Sequence, residues 1–368
     1  MNEQIGFGFG DPAPSFVAAT SANPRYHFDL AAGRYLALCF FGTAAAPVSA
    51  QALAMLSQRP ELFDGERIAF FGVSIDPNDR TLGRVHDALP GVRFVWDFDR
   101  AVSTLYGAVE AGSELYGGFW LVLDPMLRVI GKMRLTETEQ LIDYLAALPP
   151  VDAHATTPMH APVLILPRVF EPGLCEAMME LHRKGPVEDS GFMQEIGGRT
   201  TPRMDHAFKR RTDHQIEDEA VRAAAGSRIL RRLIPEIAKT FQFQATRMER
   251  YLVACYDADA AGRFAAHRDN TTKGTAHRRF AVTVNLNAED YEGGDLRFPE
   301  FGTRTYRAPT GGAVVFSCSL LHEAMPVTAG RRYAFLPFLY DEAGASLREA
   351  NNEHLAPQVS KYARASVN

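Results

Sequence analysis

The sequence predicts a two-domain protein, an α/β first half followed by a strand-rich second half with flanking helices. Three observations carry this. At 368 residues with 46% hydrophobic content, the chain has enough apolar material for two cores of ordinary size. Residues 1–150 alternate apolar runs of strand length with helical patterns, as a sheet covered on both faces requires. Pro149 to Pro158 is polar and proline-bearing, which places a semi-rigid linker at 151–160. Beyond it, strand-like runs dominate.

In the first half, residues 34–41, 67–75 and 93–97 read as strands. Residues 119–124 and 128–134 read as a hairpin over Pro125 and Met126. Helices are expected over 48–57, 81–89 and 136–148. In the second half, placed at 161–345, Val163–Leu166 opens the domain. Residues 171–184 form a helix with Leu174, Met178 and Leu181 on one face. Residues 220–241 are largely helical, bent or divided at Pro235. Residues 185–215 are Gly-rich, charged and weakly patterned, which suits either a surface loop or a lid. Within them, Lys209, Arg210 and Arg211 read as a solvated loop. Residues 346–368 form a tail of little periodicity.

Net charge is -5 and the pI is about 6.1, which argues against a general nucleic-acid binder. Cys39, Cys175, Cys255 and Cys318 sit in apolar surroundings and read as buried thiols rather than a disulfide framework. No basic region followed by an apolar run opens the sequence, and no stretch approaches a membrane span. A cytoplasmic protein is the expectation. Oligomeric state is not legible.

The chemistry concentrates in His267, Asp269, His322 and Arg332. Residues two apart on a strand point to one face, so His267 and Asp269 present an imidazole and a carboxylate side by side. His322 lies just past a buried strand, 312–318, and supplies a second imidazole. Two imidazoles and a carboxylate on one face are the ligand set of mononuclear non-haem iron(II), with positions left for co-substrate and dioxygen. A guanidinium on the strand 331–340 can clamp a carboxylate through two parallel hydrogen bonds. Arg331 and Arg332 alternate in direction there, so only one points inward. A lone His-x-Asp arises by chance about once in such a chain. His27-Phe28-Asp29 is that copy and lacks matching downstream partners.

Residues from about 160 to 342 resemble the prolyl 4-hydroxylase-like branch of the 2-oxoglutarate/iron(II) dioxygenases. The match is carried by Tyr256 in its Val-Ala-Cys-Tyr-Asp setting, by Phe264 to Asp269, and by Val284 to Asn287. Gly293 to Pro299 and Leu321 to Tyr333 extend it. The resemblance implies a double-stranded β-helix, a jelly-roll barrel. It implies iron ligands at His267, Asp269 and His322, and 2-oxoglutarate held by Arg332, the Arg-Tyr pair favouring it over Arg331. Tyr256 matches a position that helps hold the co-substrate. Leu296 stands where the family often has Thr. The implied reaction hydroxylates an unactivated C–H bond with dioxygen, giving succinate and carbon dioxide, with ascorbate as an optional reductant. The substrate is a residue of a protein or peptide, proline being the family-led choice, or a free amino acid or small metabolite.

Residues 1–150 resemble a thioredoxin-fold peroxiredoxin through Asp11 to Phe16 and the segment Phe40 to Ser49. The departures are decisive. The nucleophilic Cys falls on Ser49, the loop Pro on Gly42, and no Arg occurs within Tyr116 to Phe119. A serine hydroxyl is barely ionised and cannot cycle through a sulfenic acid. This half is expected to be a degenerate redoxin with a structural or partner-recognition role, rather than a thiol peroxidase. A binding protein without turnover is disfavoured by the intact ligand set.

Overall fold

The computed structural model describes residues 6–110, 113 and 115–363. The chain divides into two compact units. The first runs to His160 and includes Pro299–Thr303; the second comprises Ala161–Phe298 and the chain from Arg304. Residues 151–160 lie within the first unit, with a single 3-10 turn at Val151–Ala153.

In the first unit the elements are β1 (Val17–Thr20), β2 (Tyr26–His27), β3 (Tyr35–Gly42), α1 (Pro47–Ser57), β4 (Ile68–Ser74), α2 (Pro77–Thr81), β5 (Val92–Trp96), α3 (Ala101–Leu105), β6 (Phe119–Leu123), β7 (Val129–Arg134) and α4 (Thr138–Ala147). They build one seven-stranded sheet in the order β2-β1-β5-β4-β3-β6-β7. β3, β4 and β5 are parallel; β6 and β7 form an antiparallel hairpin beside β3. Every residue of β3, β4 and β6 is buried, which explains their unbroken apolar sequence. The helix expected over 81–89 is corrected. Asp76 caps α2 by accepting from the Asn78 amide, Pro77 occupies its first turn, and the helix stops at Thr81.

The second unit opens with β8 (Leu164–Leu166), α5 (Pro172–Lys184), β9 (Glu188–Asp189), β10 (Phe192–Ile196), β11 (Arg199–Arg203), β12 (Lys209–Arg210), β13 (Thr212–Gln215), α6 (Glu219–Arg228) and α7 (Ile234–Phe241). Then follow β14 (Arg247–Glu249), β15 (Leu252–Asp257), β16 (Arg263–His267), β17 (Phe280–Asn285), β18 (Tyr291–Gly293), β19 (Leu296–Arg297), β20 (Thr305–Tyr306), β21 (Ala313–Ser317), β22 (His322–Ala324), β23 (Val327–Phe335), β24 (Phe338–Tyr340) and α8 (Glu342–Ala350). A π turn at Ile229–Leu233 separates α6 from α7 just ahead of Pro235, whose missing N–H disturbs the helical ladder there.

This unit has the jelly-roll arrangement of two antiparallel sheets. One has five strands in the order β12-β16-β22-β19-β20. The other has ten, with β14-β24-β17-β23-β15-β13-β9 as its main path. The alternation along β15 shows how the large sheet works. Val253 and Cys255 pack with Met178, Leu233, Ile237 and Phe335 in the core beneath the helices. Leu252, Ala254 and Tyr256 point the other way, into a smaller cluster with Tyr291, Ala324 and Val327. The inner faces of the two sheets therefore supply the walls of the site.

Residues 185–215 are not a plain loop. β10 and β11 form a hairpin, and Lys209 and Arg211 are buried, so the solvated reading of that basic cluster is corrected. The Lys209 ammonium donates to the Gly191 carbonyl at 2.6 Å and lies 4.6 Å from the Phe264 ring centre.

Candidate active site

The five-stranded sheet sets the first two groups. In the β16–β22 ladder His267 is the direct cross-strand partner of His322, and their ring centres lie 4.3 Å apart. Asp269 follows β16, where its amide donates to the Cys318 carbonyl at 3.0 Å. Its carboxylate oxygens lie 3.5 Å from His267 Nε2 and 3.3 Å from His322 Nε2. One ligating atom from each of the three falls within 4.8 Å of the others; among the described residues this is the only such group of His, Cys, Asp or Glu. His27 and Asp29 form no part of one.

The donor chemistry fits a divalent metal. Each imidazole is paired through Nδ1 to the carbonyl two residues before it: Ala265 at 2.8 Å for His267, and Leu320 at 3.0 Å for His322. This fixes the tautomer and leaves the Nε2 lone pair available. Burial, helped by His267, pushes the His322 pKa down to about 4, so its ring is neutral at pH 7. Burial acts to raise the Asp269 carboxyl, but its close approach to the His322 and His267 rings outweighs it and holds the group below the usual carboxylate range. The Phe264 ring stacks on His267 with centres 3.5 Å apart and planes at 22°. Behind it, Phe208 packs on Phe264 and Phe192 of the hairpin on Phe208, at 5.5 and 4.7 Å.

The ten-stranded sheet supplies the facing groups. Arg332 pairs with Tyr256 across β15–β23, and its guanidinium lies 5.0 Å from the Tyr256 ring centre. Arg332 is 2% exposed, and its Nε and Nη1 have no hydrogen-bond partner. Arg331 turns outward to an ion pair with Asp257 at 2.7 Å. Tyr256 is buried, its hydroxyl accepting from Arg211 at 3.3 Å. His267, Asp269, His322, Tyr256 and Arg332 line a single cavity of about 50 Å³ whose apolar wall includes Leu296, Phe316, Leu336 and Phe338.

Arg211, expected in a solvated loop, and Arg250, for which the sequence gives no expectation, also line this cavity. Both face Asp213, at 2.6 and 3.7 Å. The spacing Lys209, Arg211, Asp213 at every second position was the available signal, since it marks one face of an extended segment. His277 is buried against Glu249 at 3.2 Å and takes no part.

In the first unit Ser49 is buried and its hydroxyl donates to the Phe41 carbonyl at 2.7 Å. Cys39 is fully buried on β3, and burial pushes its thiol well above the ordinary range. A cavity of about 440 Å³ remains beside Ser49, lined by Phe41, Gly42, Tyr116 and Arg134 among others. All four cysteines are free thiols and buried.

Comparison with known proteins agrees with this division. Residues 251–340 match the 2OG-Fe(II) oxygenase superfamily, and residues 9–132 match the AhpC/TSA family. A PKHD-type hydroxylase of Synechococcus sp. (strain JA-2-3B'a(2-13)) is 34% identical over 89 residues, 23% of this chain and 39% of that protein. One from Xanthomonas axonopodis pv. citri is 30% identical over 129 residues, 32% of this chain and 55% of that protein. The chain thus spans about two-fifths to just over half the length of these curated relatives. Among solved structures, a Trichoplax adhaerens prolyl hydroxylase bound to a hypoxia inducible factor peptide fragment aligns at TM-score 0.41 and 18% identity, covering 58% of this chain and 96% of that one. A Pseudomonas putida prolyl-4-hydroxylase aligns at 0.38 and 18%, covering 53% and 98%. The chain carries a 2OG-Fe(II) oxygenase domain behind an AhpC/TSA domain.

Proposed function

We propose that this chain is an iron(II)- and 2-oxoglutarate-dependent dioxygenase that hydroxylates an unactivated C–H bond. A redoxin-like domain at 1–150 is joined through 151–160 to the oxygenase domain at 161–345. The observation that carries the reading is the meeting of His267, Asp269 and His322 in one cavity with a buried Arg332 whose donors lack acceptors.

In this reading His267 and His322 hold iron(II) through Nε2 and Asp269 holds it through a carboxylate oxygen. When bound, iron(II) and 2-oxoglutarate supply the oxidising power for dioxygen chemistry, with succinate and carbon dioxide as co-products. The protein's own groups position and shield. The carbonyls of Ala265 and Leu320 keep both imidazoles in the ligating tautomer. Arg332 clamps the distal carboxylate of the co-substrate. The Tyr256 hydroxyl accepts from Arg211, so its own proton is free to donate into the cavity. Phe316, Leu336 and Phe338 keep water away from the reacting carbon. No side chain is required as a base.

The proposed substrate is a residue of a protein or peptide. Exposed Met193, Ile196 and Met204 lie on and beside the β10–β11 hairpin, at the outer end of the ring ladder that reaches His267. They offer apolar footing for an extended chain. A cytoplasmic setting suits both a ferrous ion and four free thiols; no helix among the described residues is long and apolar enough to cross a membrane. The test is succinate formation by the purified chain with iron(II), 2-oxoglutarate and dioxygen, over panels of peptides and metabolites, with mass detection of an added oxygen. Turnover that survives in both His267→Ala and Asp269→Ala would refute the assignment.

A further inference from the structure

We propose that Arg250 receives a carboxylate of the substrate, so that the enzyme selects molecules carrying a negative charge close to the carbon it hydroxylates; the proposal rests on the oxygenase reading above. Arg250 lies between β14 and β15 and lines the cavity that holds His267, Asp269, His322 and Arg332. Its backbone is left-handed, at φ +68°. That conformation is costly for a residue other than glycine, persists only where the surroundings impose it, and clusters at functional sites. Its side chain keeps 27% of its surface exposed, so an incoming group can reach it. The Phe338 ring lies 5.2 Å from the Arg250 guanidinium and 4.0 Å from that of Arg278, and steadies both.

The neighbouring cations are already engaged. Arg211 donates to Asp213 at 2.6 Å and to Ser190 at 2.9 Å. The Lys209 ammonium is given to the Gly191 carbonyl, and Arg278 pairs with Glu249 at 2.7 Å. Arg250 makes no side-chain hydrogen bond among the described residues. Its ion-pair partner, Asp213 Oδ2, is 3.7 Å away and already accepts from Arg211 and from Ser190. Burial, helped by the like charge of Arg211, pushes the Arg250 guanidinium down to about 10 against the pull of Asp213. It therefore stays charged at pH 7 without a full partner. Bound metal and co-substrate do not remove the imbalance. Iron(II) with Asp269 leaves one positive charge, Arg332 adds another, and the doubly negative 2-oxoglutarate offsets the two. Asp213 offsets Arg211. The charge of Arg250 is left over, and a planar guanidinium meets a carboxylate through two parallel hydrogen bonds.

The experiment captures synthetic ligands on the immobilised full chain, loaded with iron(II) and 2-oxoglutarate under anaerobic conditions. The first arm is a library of random short peptides blocked at both ends, in which Asp and Glu side chains are the only carboxylates. The second leaves the C-terminal carboxylate free. The third is a mixture of free amino acids with their amides. In at least one arm the acid should be captured about tenfold over its amide twin, the effect of one hydrogen bond between charged groups. The arm that responds identifies the carboxylate as a side chain, a chain end or a free amino acid. The preference should disappear in Arg250→Gln and survive in part in Arg250→Lys. No preference in any arm, or one that survives in Arg250→Gln, would overturn the inference. Calorimetric titration that showed an equal loss of 2-oxoglutarate affinity in Arg250→Gln would do the same, by assigning the residue to the co-substrate. So would an Arg250→Gln that melts well below the wild type while Arg250→Lys also fails to select, because Arg250 would then be a structural cation. A wild type that bound no 2-oxoglutarate would remove the oxygenase reading and this inference with it; one that bound it without favouring acids would overturn this inference alone.

Discussion

Replacing Arg332 by Met should change binding and stability in opposite directions. The guanidinium is 2% exposed and two of its nitrogens are unpaired. Without co-substrate, a buried and under-bonded cation opposes folding, so an apolar side chain of similar length costs little or adds stability. With co-substrate, the clamp contributes two charge-assisted hydrogen bonds of roughly 1.5–3 kcal/mol each. Removing both should weaken 2-oxoglutarate binding by about 3–6 kcal/mol, on the order of 10²–10⁴-fold. Anaerobic calorimetric titration gives the Kd, and a melting curve of the same sample without ligand gives the stability. A drop of several degrees in Tm with an unchanged Kd would refute the reasoning, because Arg332 would then be a structural cation.

Other consequences can be checked with simple variants. Burial acts to raise the Asp213 carboxyl, but Arg211 and Arg250 hold it at about 2, below the usual carboxylate range. A depressed carboxylate stabilises the fold above pH 4 and loses that contribution as pH falls toward 2, worth about 2 kcal/mol here. Asp213→Asn should therefore lower stability at neutral pH and flatten the acid limb of a pH–stability curve; an unchanged limb would remove Asp213 from the account. Peroxide consumption with a thiol reductant should stay at background, since Ser49 is tied to Phe41 and Cys39 is sealed in β3. Robust consumption abolished in Cys39→Ser would overturn the reading of the first unit. Adding an iron chelator during turnover should stop succinate formation, and excess iron(II) should restore it; turnover indifferent to chelation would contradict a metal-based reaction.

The parts legible in the sequence were those set by strong periodicity or by residue chemistry. β3, β4 and β6 are buried on both faces and so read as continuous apolar runs. His267 and Asp269 were visible because a period of two needs only local sequence. That His322 sits directly opposite His267 was not visible, since cross-strand register depends on contacts across 55 residues of chain. Local capping misled at α2, where Asp76 and Pro77 start a helix that the apolar pattern placed later. Polarity misled at Lys209 and Arg211, because charged residues are buried here by Gly191, Ser190 and Asp213 rather than by apolar neighbours. α8 also went unread: Asp341 caps it by accepting from the Gly344 amide, yet only Gly344 and Ala345 are buried within it, so it carries no apolar stripe.

The most direct test is anaerobic equilibrium dialysis of the full chain against iron(II). One ion per chain is expected, with binding lost in His322→Ala and in Asp269→Ala while both variants keep the wild-type far-ultraviolet circular dichroism. Failure of the folded wild type to retain iron, or full retention by both variants, would contradict it.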